Sequence, residues 1–550
     1  MSRKSASERY DRQRRKTLER ETRILKGNTG GIFETVLAYP GVYSLGMSSL
    51  YFHSFFNQLS SWPDTRCERS FFPEKSEHNW RRRVGKPIVT LESGKPISES
   101  DLLAFMVSFE TDFLPVLEMM QLSGITLRSS QRTAKWPIII ASGLSVTANP
   151  LPLSPFVDAF IIGESEPSLG PVLDTIKSLG SQGAPKARIL KWLSHLPGIY
   201  VPSIHGIKNP TATIIRQWAN SEGIGTISGI ISPDTSPETM VMMELSRGCP
   251  FNCRFCMPGY IYLPYREKRL DDLETTVSQI PTGSRVGLNA SSPSSHSCYN
   301  EVMEVIGKHD FEVLVANHSV DTLNYLENVD LDFDPTVLNI HLETGSESFR
   351  KVLGKNLKEQ TIMESVEKKS RSTREIRLHF QVGLPFETES DRDSIALLVK
   401  KIRKLTKVPI TVVINIFIPR PWTAFQWSEM VHTRDLRRWL ETIEGQLSKV
   451  RSVTTIIESP REAHIRALLA RGDHRVAKAL EEKLSGIGWN TAFGRAGVDI
   501  GWVFTPLKTG TAFGWDFLNM GFGYTRLARE LQLALSANQA RQKDAEENPL

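Results

Sequence analysis

The stretch at residues 244–260, ELSRGCPFNCRFCMPGY, constrains this chain more than any other. Three of the five cysteines fall in it: Cys249, Cys253 and Cys256, spaced C-x3-C-x2-C. Three thiolates on one loop can hold three irons of a 4Fe–4S cluster and leave the fourth iron open for a substrate or cofactor. A structural zinc site normally takes four ligands. The nearest other soft donors, His296 and Cys298, lie about forty residues away, so zinc is the less natural occupant. A disulfide is less natural again in a chain without a secretory signal. The short apolar run 241–245 (VMMEL) places the thiols directly after a buried strand.

Phe255 sits immediately before the last cysteine. C-x3-C-x-aromatic-C after a first strand resembles the signature of the radical SAM superfamily. The resemblance implies a 4Fe–4S cluster whose open iron chelates the amino and carboxylate groups of S-adenosylmethionine. It implies reductive cleavage to a 5′-deoxyadenosyl radical, with Phe255 near the adenine. It also implies an electron donor such as flavodoxin or ferredoxin, and sensitivity to oxygen. The cofactor carries the hard chemistry; the protein orients it and excludes water.

Length and composition set the frame. A chain of 550 residues is too long for one core and predicts two to four domains. Hydrophobic content of 40% and charged content of 23% are those of a globular protein. No run of about eighteen apolar residues predicts a membrane span, and the N-terminus has no apolar signal core, so a cytoplasmic protein is expected. Cys67 and Cys298 read as inert thiols, Cys298 being the better candidate for reactivity. The net charge of +6 has a local origin: residues 1–26 hold ten basic and four acidic side chains. That arm reads as a solvated, partly helical extension. The alternative is an arm for RNA or another polyanion.

Between about 30 and 200, apolar runs at 33–39, 102–108, 137–141 and 159–162 alternate with helical stretches near 50–59 and 112–122. This predicts a doubly wound parallel sheet, whose ligands bind beyond the carboxyl ends of the strands. The loops at 40–49, 108–112, 142–150 and 163–168 therefore come to the fore. They resemble the cobalamin-binding domain often fused before radical SAM barrels. In that pattern Gly46 matches the glycine of the first loop, Ser108 the serine loop and Gly143 the glycine loop. Glu164, in Ile162-Gly163-Glu164-Ser165-Glu166, matches the acidic loop. Tyr43 stands where the axial histidine would be, so the resemblance implies cobalamin without a protein axial ligand. Loss of the trans donor alters methyl-transfer reactivity.

From 241 the strand–helix alternation restarts, with strands expected at 285–289, 312–316, 337–342, 377–382 and 410–417. With the strand before the cysteines these make a partial (β/α)6 barrel whose site lies at its C-terminal mouth. The Gly-Gly-Glu element of many radical SAM enzymes is absent, and Asn289 and Ser291 are the local substitutes. Glu343-Thr344-Gly345-Ser346 with Arg350 resembles an E-x-G-S…R element at the S-adenosylmethionine pocket. A carboxylate at a strand end can pair with an ammonium or a ribose hydroxyl. A capping turn is the competing reading of Ser346. The loop 383–389 (GLPFETE), opening on Gly383, resembles a loop whose backbone packs on the adenine. The run 418–423 (IPRPWT) is close to another family turn. Beyond 430 the chain reads as amphipathic helices at 435–449 and 461–484, then a loop and final helix at 515–534.

The expected domains are thus a basic arm (1–29), a cobalamin-binding-like Rossmann domain (30–200), a linker (201–240), the radical SAM barrel (241–430) and a C-terminal helical region (431–550). The implied function is radical SAM chemistry with cobalamin-dependent methyl transfer to an unactivated carbon. Two other readings stay open: a cobalamin-independent enzyme modifying RNA or protein, and a non-catalytic cluster or cobalamin sensor. No residue identifies the substrate.

Overall fold

The computed structural model describes residues 3–28, 30–235, 239–315, 337–371 and 373–547. Its first sheet has six strands: β1 (Phe33–Tyr39), β2 (Thr65–Phe71), β3 (Leu102–Met106), β4 (Ile138–Ser142), β5 (Ala159–Ile161) and β6 (Ile199–Tyr200). Their order is β2-β1-β3-β4-β5-β6, all parallel except the edge pair β5/β6. The order reverses between β1 and β3, so the crevice beyond those two strands is the topological switch point. The expected doubly wound sheet is present, with two strands that the apolar pattern did not reveal, the two-residue edge strand β6 and the longer β2. Strand β2 (TRCERSF) carries Arg69, which is fully buried. Burial is tolerable because Glu21 and Glu92 both pair with its guanidinium, at 2.6 and 2.7 Å.

Among the described residues, the second half contains seven parallel strands in two sheets. One holds β7 (Val241–Glu244), β8 (Arg285–Asn289) and β9 (Glu312–Val315). The other holds β10 (Val337–Glu343), β11 (Glu375–Val382), β12 (Ile410–Ile416) and β13 (Val453–Ile457). Ala316, the end of the expected third barrel strand, lies outside the described residues. β13 is a strand the sequence reading missed: its five residues are all half-buried or exposed, which hides the apolar pattern.

Three further differences are local. The expected loop 40–49 contains a helical turn, Tyr43–Met47. The single helix expected over 461–484 is two, Pro460–Arg471 and Val476–Leu484. A Cβ on Gly472 would lie 2.6 Å from the Leu468 carbonyl and 2.2 Å from Val476, and Asp473 Oδ1 accepts from the Arg475 amide at 2.9 Å, a turn that competes with the helix. The last helix runs over Tyr524–Glu547, longer than expected.

The basic arm is the helix Arg3–Glu19, and it is docked. Tyr10 is buried against Trp80, with ring centroids 5.0 Å apart, and Arg14 Nη1 donates to the Leu91 and Glu92 carbonyls. Arg20 pairs with Asp234 at 2.7 Å. The segment 201–240 is likewise threaded into the fold: Ile230–Ile231 pairs with Thr22–Arg23, and Ile214–Ile215 with Leu518–Asn519. Among the described residues no helix is long and apolar enough to cross a membrane.

Candidate active site

The three cysteines sit on a loop closed at its base. Ser246–Arg247 pairs antiparallel with Arg266–Glu267, so residues 248–265 leave and return through one two-residue ribbon. Gly248 has φ +86°, and a Cβ there would meet the Tyr262 carbonyl at 2.7 Å, so only glycine suits the first turn. Ser291 Oγ donates to the Gly248 carbonyl at 2.7 Å, which ties the loop after β8 to the cysteine loop. Asn289, at the end of β8, accepts the Leu245 amide on its carbonyl at 3.0 Å. Between Cys253 and Phe255, the buried Arg254 donates to the Lys351 and Val352 carbonyls (3.1 and 2.8 Å) and pairs with Glu530 of the last helix.

The thiols share one electrostatic environment. Burial pushes the Cys253 thiol up; Lys355 opposes this, and Cys256, Glu343 and Cys249 add to it. Burial likewise pushes Cys256 up to about 11, opposed by the Gly259 amide. Three thiols within Coulombic reach of one another are costly to ionise together unless a cation joins them. Among the described residues no three such donors close on a single metal position. A cubane takes its three thiolates at three separate irons, so the donor set fits a 4Fe–4S cluster.

Glu343 ends β10 beside these thiols and pairs with Lys355 at 3.3 Å. Its φ is +65°, unusual for a residue with a Cβ, and it stands at an irregularity in the β10/β11 register. Phe386 (φ +71°) and Trp422 (φ +61°) share that conformation on the loops after β11 and β12. Strain of this kind collects at functional sites. Gly383 follows β11 with φ +87°, and its amide donates to Glu387 Oε2 at 2.9 Å. Burial pushes Glu387 up to about 8.

Phe255 lines a cavity of about 240 Å³ together with Gln381, Asn415, Phe417, Arg420 and Arg466. Gln381 Oε1 is buried there without a hydrogen-bond partner among the described residues. Gln381 and Asn415 were missed in the sequence, as were His341 and His379, whose rings stack at 4.3 Å on neighbouring strands. The available signal was the period-two polar positions Asn339 and His341 of β10, Arg377, His379 and Gln381 of β11, and Thr411 and Asn415 of β12.

Two other expected residues are engaged by the chain itself. Ser346 caps the helix Glu347–Val352, accepting from the Phe349 amide at 3.2 Å. Arg350 is fully buried and donates to the Thr344 and Leu357 carbonyls at 2.9 and 2.8 Å.

The first-domain residues lie at the carboxyl edge of their sheet, on or near the turns after β1, β3, β4 and β5. Tyr43 leans its ring on Phe71 (centroids 5.1 Å apart) and donates its hydroxyl to Glu21 of the arm. A Cβ on Gly46 would meet the Phe71 ring at 2.6 Å, and one on Gly143 (φ +122°) the Val107 carbonyl at 2.3 Å. The Ser108 amide donates to Asp112 Oδ2 at 2.8 Å, and burial pushes Asp112 up to about 7. Leu45 and Phe109, on the loops after β1 and β3, are 61% and 55% exposed. Glu164 is fully buried between Arg247 and Arg266.

The two halves meet at the mouth. Arg420 pairs with Glu110 through both carboxylate oxygens (3.0 and 3.1 Å), Arg466 joins it at 3.1 Å, and Trp422 Nε1 donates to the Ala148 carbonyl at 2.9 Å.

A parallel-stranded barrel with a three-cysteine loop at its mouth, behind a doubly wound domain, is the architecture of a radical SAM enzyme. The model of radical SAM N-terminal regions matches residues 51–202 and that of the radical SAM superfamily matches 243–399, together more than half of the chain. The chain belongs to the radical SAM superfamily, whose enzymes use a 4Fe–4S cluster and S-adenosylmethionine. The uncharacterised protein MJ0966 of Methanocaldococcus jannaschii is 26% identical over 457 residues, covering 82% of this chain and 91% of its own. Among solved structures, the radical S-adenosylmethionine methyltransferase TsrM from Kitasatospora setae, with cobalamin and a 4Fe–4S cluster bound, is similar with a TM-score of 0.45. The identity is 11%, over 92% of this chain and 99% of that one. The cobalamin-dependent S-adenosylmethionine radical enzyme OxsB is similar with a TM-score of 0.39 at 13% identity, over 92% and 61%.

Proposed function

We propose that Cys249, Cys253 and Cys256 hold the cluster, that the barrel mouth beside Phe255 holds S-adenosylmethionine, and that the enzyme transfers a methyl group with cobalamin held at the first domain. The observation that carries the reading is the grouping of three thiols with Glu343 and Lys355 at the carboxyl end of β10. Glu343 is a pairing partner for the methionine ammonium, and Lys355 balances charge beside the thiolates. Phe255 offers a face to the adenine, and Gln381 Oε1 accepts a hydrogen bond from the adenosyl group in the adjoining cavity. When bound, the cluster supplies the electron that cleaves the sulfonium, and cobalamin supplies a transferable methyl group.

For cobalamin the support is the exposure of Leu45 and Phe109 beyond adjacent strands at the switch point. An apolar, planar macrocycle fits such a surface. The hydroxyl of Tyr43 is engaged by Glu21, which agrees with cobalt left without a ligand from that position.

The test is anaerobic reconstitution with iron, sulfide and cobalamin. Iron and cobalt analysis, an ultraviolet–visible spectrum and assay of 5′-deoxyadenosine follow. Four irons, one cobalt and cleavage of S-adenosylmethionine per chain are expected. Four irons without cobalt would leave a radical SAM enzyme and remove the methyl-transfer reading. Zinc in place of iron would overturn both.

A further inference from the structure

We infer that Glu164 of the first domain is a positioning residue for the cysteine loop, acting through Arg247 and Arg266. The inference rests on the reading that this loop holds the cluster.

The two strands of the ribbon that closes the loop each contribute one arginine, Arg247 outgoing and Arg266 returning. Both converge on the same carboxylate. Arg247 Nη1 donates to Glu164 Oε2 at 2.9 Å; Arg266 donates from Nη2 to Oε1 at 2.7 Å and from Nη1 to Oε2 at 2.9 Å. The Ala219 amide also donates to Oε2, at 2.8 Å. The carboxylate is fully buried. Arg247 also forks onto Glu244 at the end of β7, through Nε and Nη2 at 2.8 and 2.9 Å, and reaches Glu166 at 2.9 Å. Arg266 also donates to the Ala219, Tyr262 and Pro264 carbonyls and lies over the Trp218 face.

Glu164 is therefore the group through which the first domain grips both legs of the loop. Arg247 is two residues from Cys249, so a rotation of the ribbon about this carboxylate carries the first thiol with it. Fork-shaped guanidinium–carboxylate pairs fix direction as well as distance. Partners that orient metal ligands from behind typically change metal affinity or activity by about 10- to 100-fold when removed. The position also joins the two cofactor regions, since Glu164 lies on the loop after β5, at the ligand-binding edge of the first sheet.

The experiment compares Glu164→Gln with Asp158→Asn. Asp158 is an equally buried first-domain carboxylate, held by Arg132 and Lys186 away from the loop. Each protein is reconstituted anaerobically with iron and sulfide. Iron content, the electron paramagnetic resonance spectrum of the reduced protein with and without S-adenosylmethionine, the rate of 5′-deoxyadenosine formation and the thermal midpoint are measured. Both variants are expected to lose stability. Glu164→Gln alone is expected to change the spectral shift induced by S-adenosylmethionine and to slow cleavage by about 10- to 100-fold, with Glu164→Asp recovering part of it. If Glu164→Gln does not fold, Arg266→Lys, which keeps the charge and loses the fork, is expected to show the same changes. Wild-type spectra and rates in the folded variant would overturn the inference, as would equal changes in Asp158→Asn. A wild-type protein without a four-iron spectrum would remove the cluster reading and the inference with it.

Discussion

The two halves of this chain build parallel sheets from similar apolar stretches, yet they bury them differently. In the first sheet, β3 and β4 are buried at every position. Helices cover both faces, as in doubly wound folds. In the second, β10, β11 and β12 alternate. Leu338, Ile340, Ile376, Leu378, Val412 and Ile414 are buried, while Asn339, His341, His379, Gln381 and Asn415 are on the other face and less buried. A sheet closed on both faces can hold a ligand only beyond its strand ends. A curved sheet with an open polar face can hold one against the strands themselves. The first half is thus suited to present a large ligand at its rim, and the second to enclose a reacting one.

Substitutions can break this contrast. The largest effect is expected at the thiols. Cys253→Ala should lose cluster iron and bring S-adenosylmethionine cleavage to background, whereas Cys67→Ala, on β2 of the closed sheet, should leave both unchanged; iron analysis and product assay decide. Next come the sheets themselves. Ile140→Ala, in the closed sheet, should cost about 2–5 kcal/mol. Asn415→Ala, on the open face, should cost less than about 1 kcal/mol while weakening S-adenosylmethionine binding. Equal losses in denaturant titrations would erase the distinction between the two sheets.

The halves should also differ in pH response. Burial raises Asp112 from 3.8 to about 7. A carboxyl kept protonated in the fold contributes stability that is complete below its unfolded value and lost as pH rises through about 7. Asp112→Asn should flatten that decline, on the order of 3 kcal/mol between pH 4 and 7. His379 is lowered from 6.5 to about 4 by burial. Its contribution is present above 6.5 and lost as pH falls toward 4, so His379→Asn should flatten the acid side instead. Stability measured against pH for both variants tests the opposite slopes. The smallest effect is expected from Tyr43→Phe. It removes one hydrogen bond, worth about 1 kcal/mol, and should leave the spectrum of bound cobalamin unchanged. A changed spectrum would show that the phenol reaches cobalt.

Much of this was legible in the sequence. The runs that became β1, β3, β4, β8, β11 and β12 announced themselves by apolar pattern, and the thiol spacing pointed to its chemistry at once. β2 did not, because a strand reading TRCERSF is buried only by virtue of acids elsewhere in the chain. Arg350 and Glu164 had the right types for ligand contacts, yet both are engaged by the chain's own groups: two carbonyls for the first, two arginines and an amide for the second. Gln381, Asn415 and the histidine pair were visible as period-two polar positions and were passed over in favour of the strand ends.

Sequence by itself determined what is local. Three thiols within one short loop, a preceding apolar strand and the glycines of the tight turns depend on neighbours a few residues away. Tertiary structure alone decided the partners of the buried charges. A charge in a low-dielectric interior is stable only with its counter-charge in contact. For Glu164 those counter-charges stand 83 and 102 residues along the chain, brought to it by the packing of one half on the other.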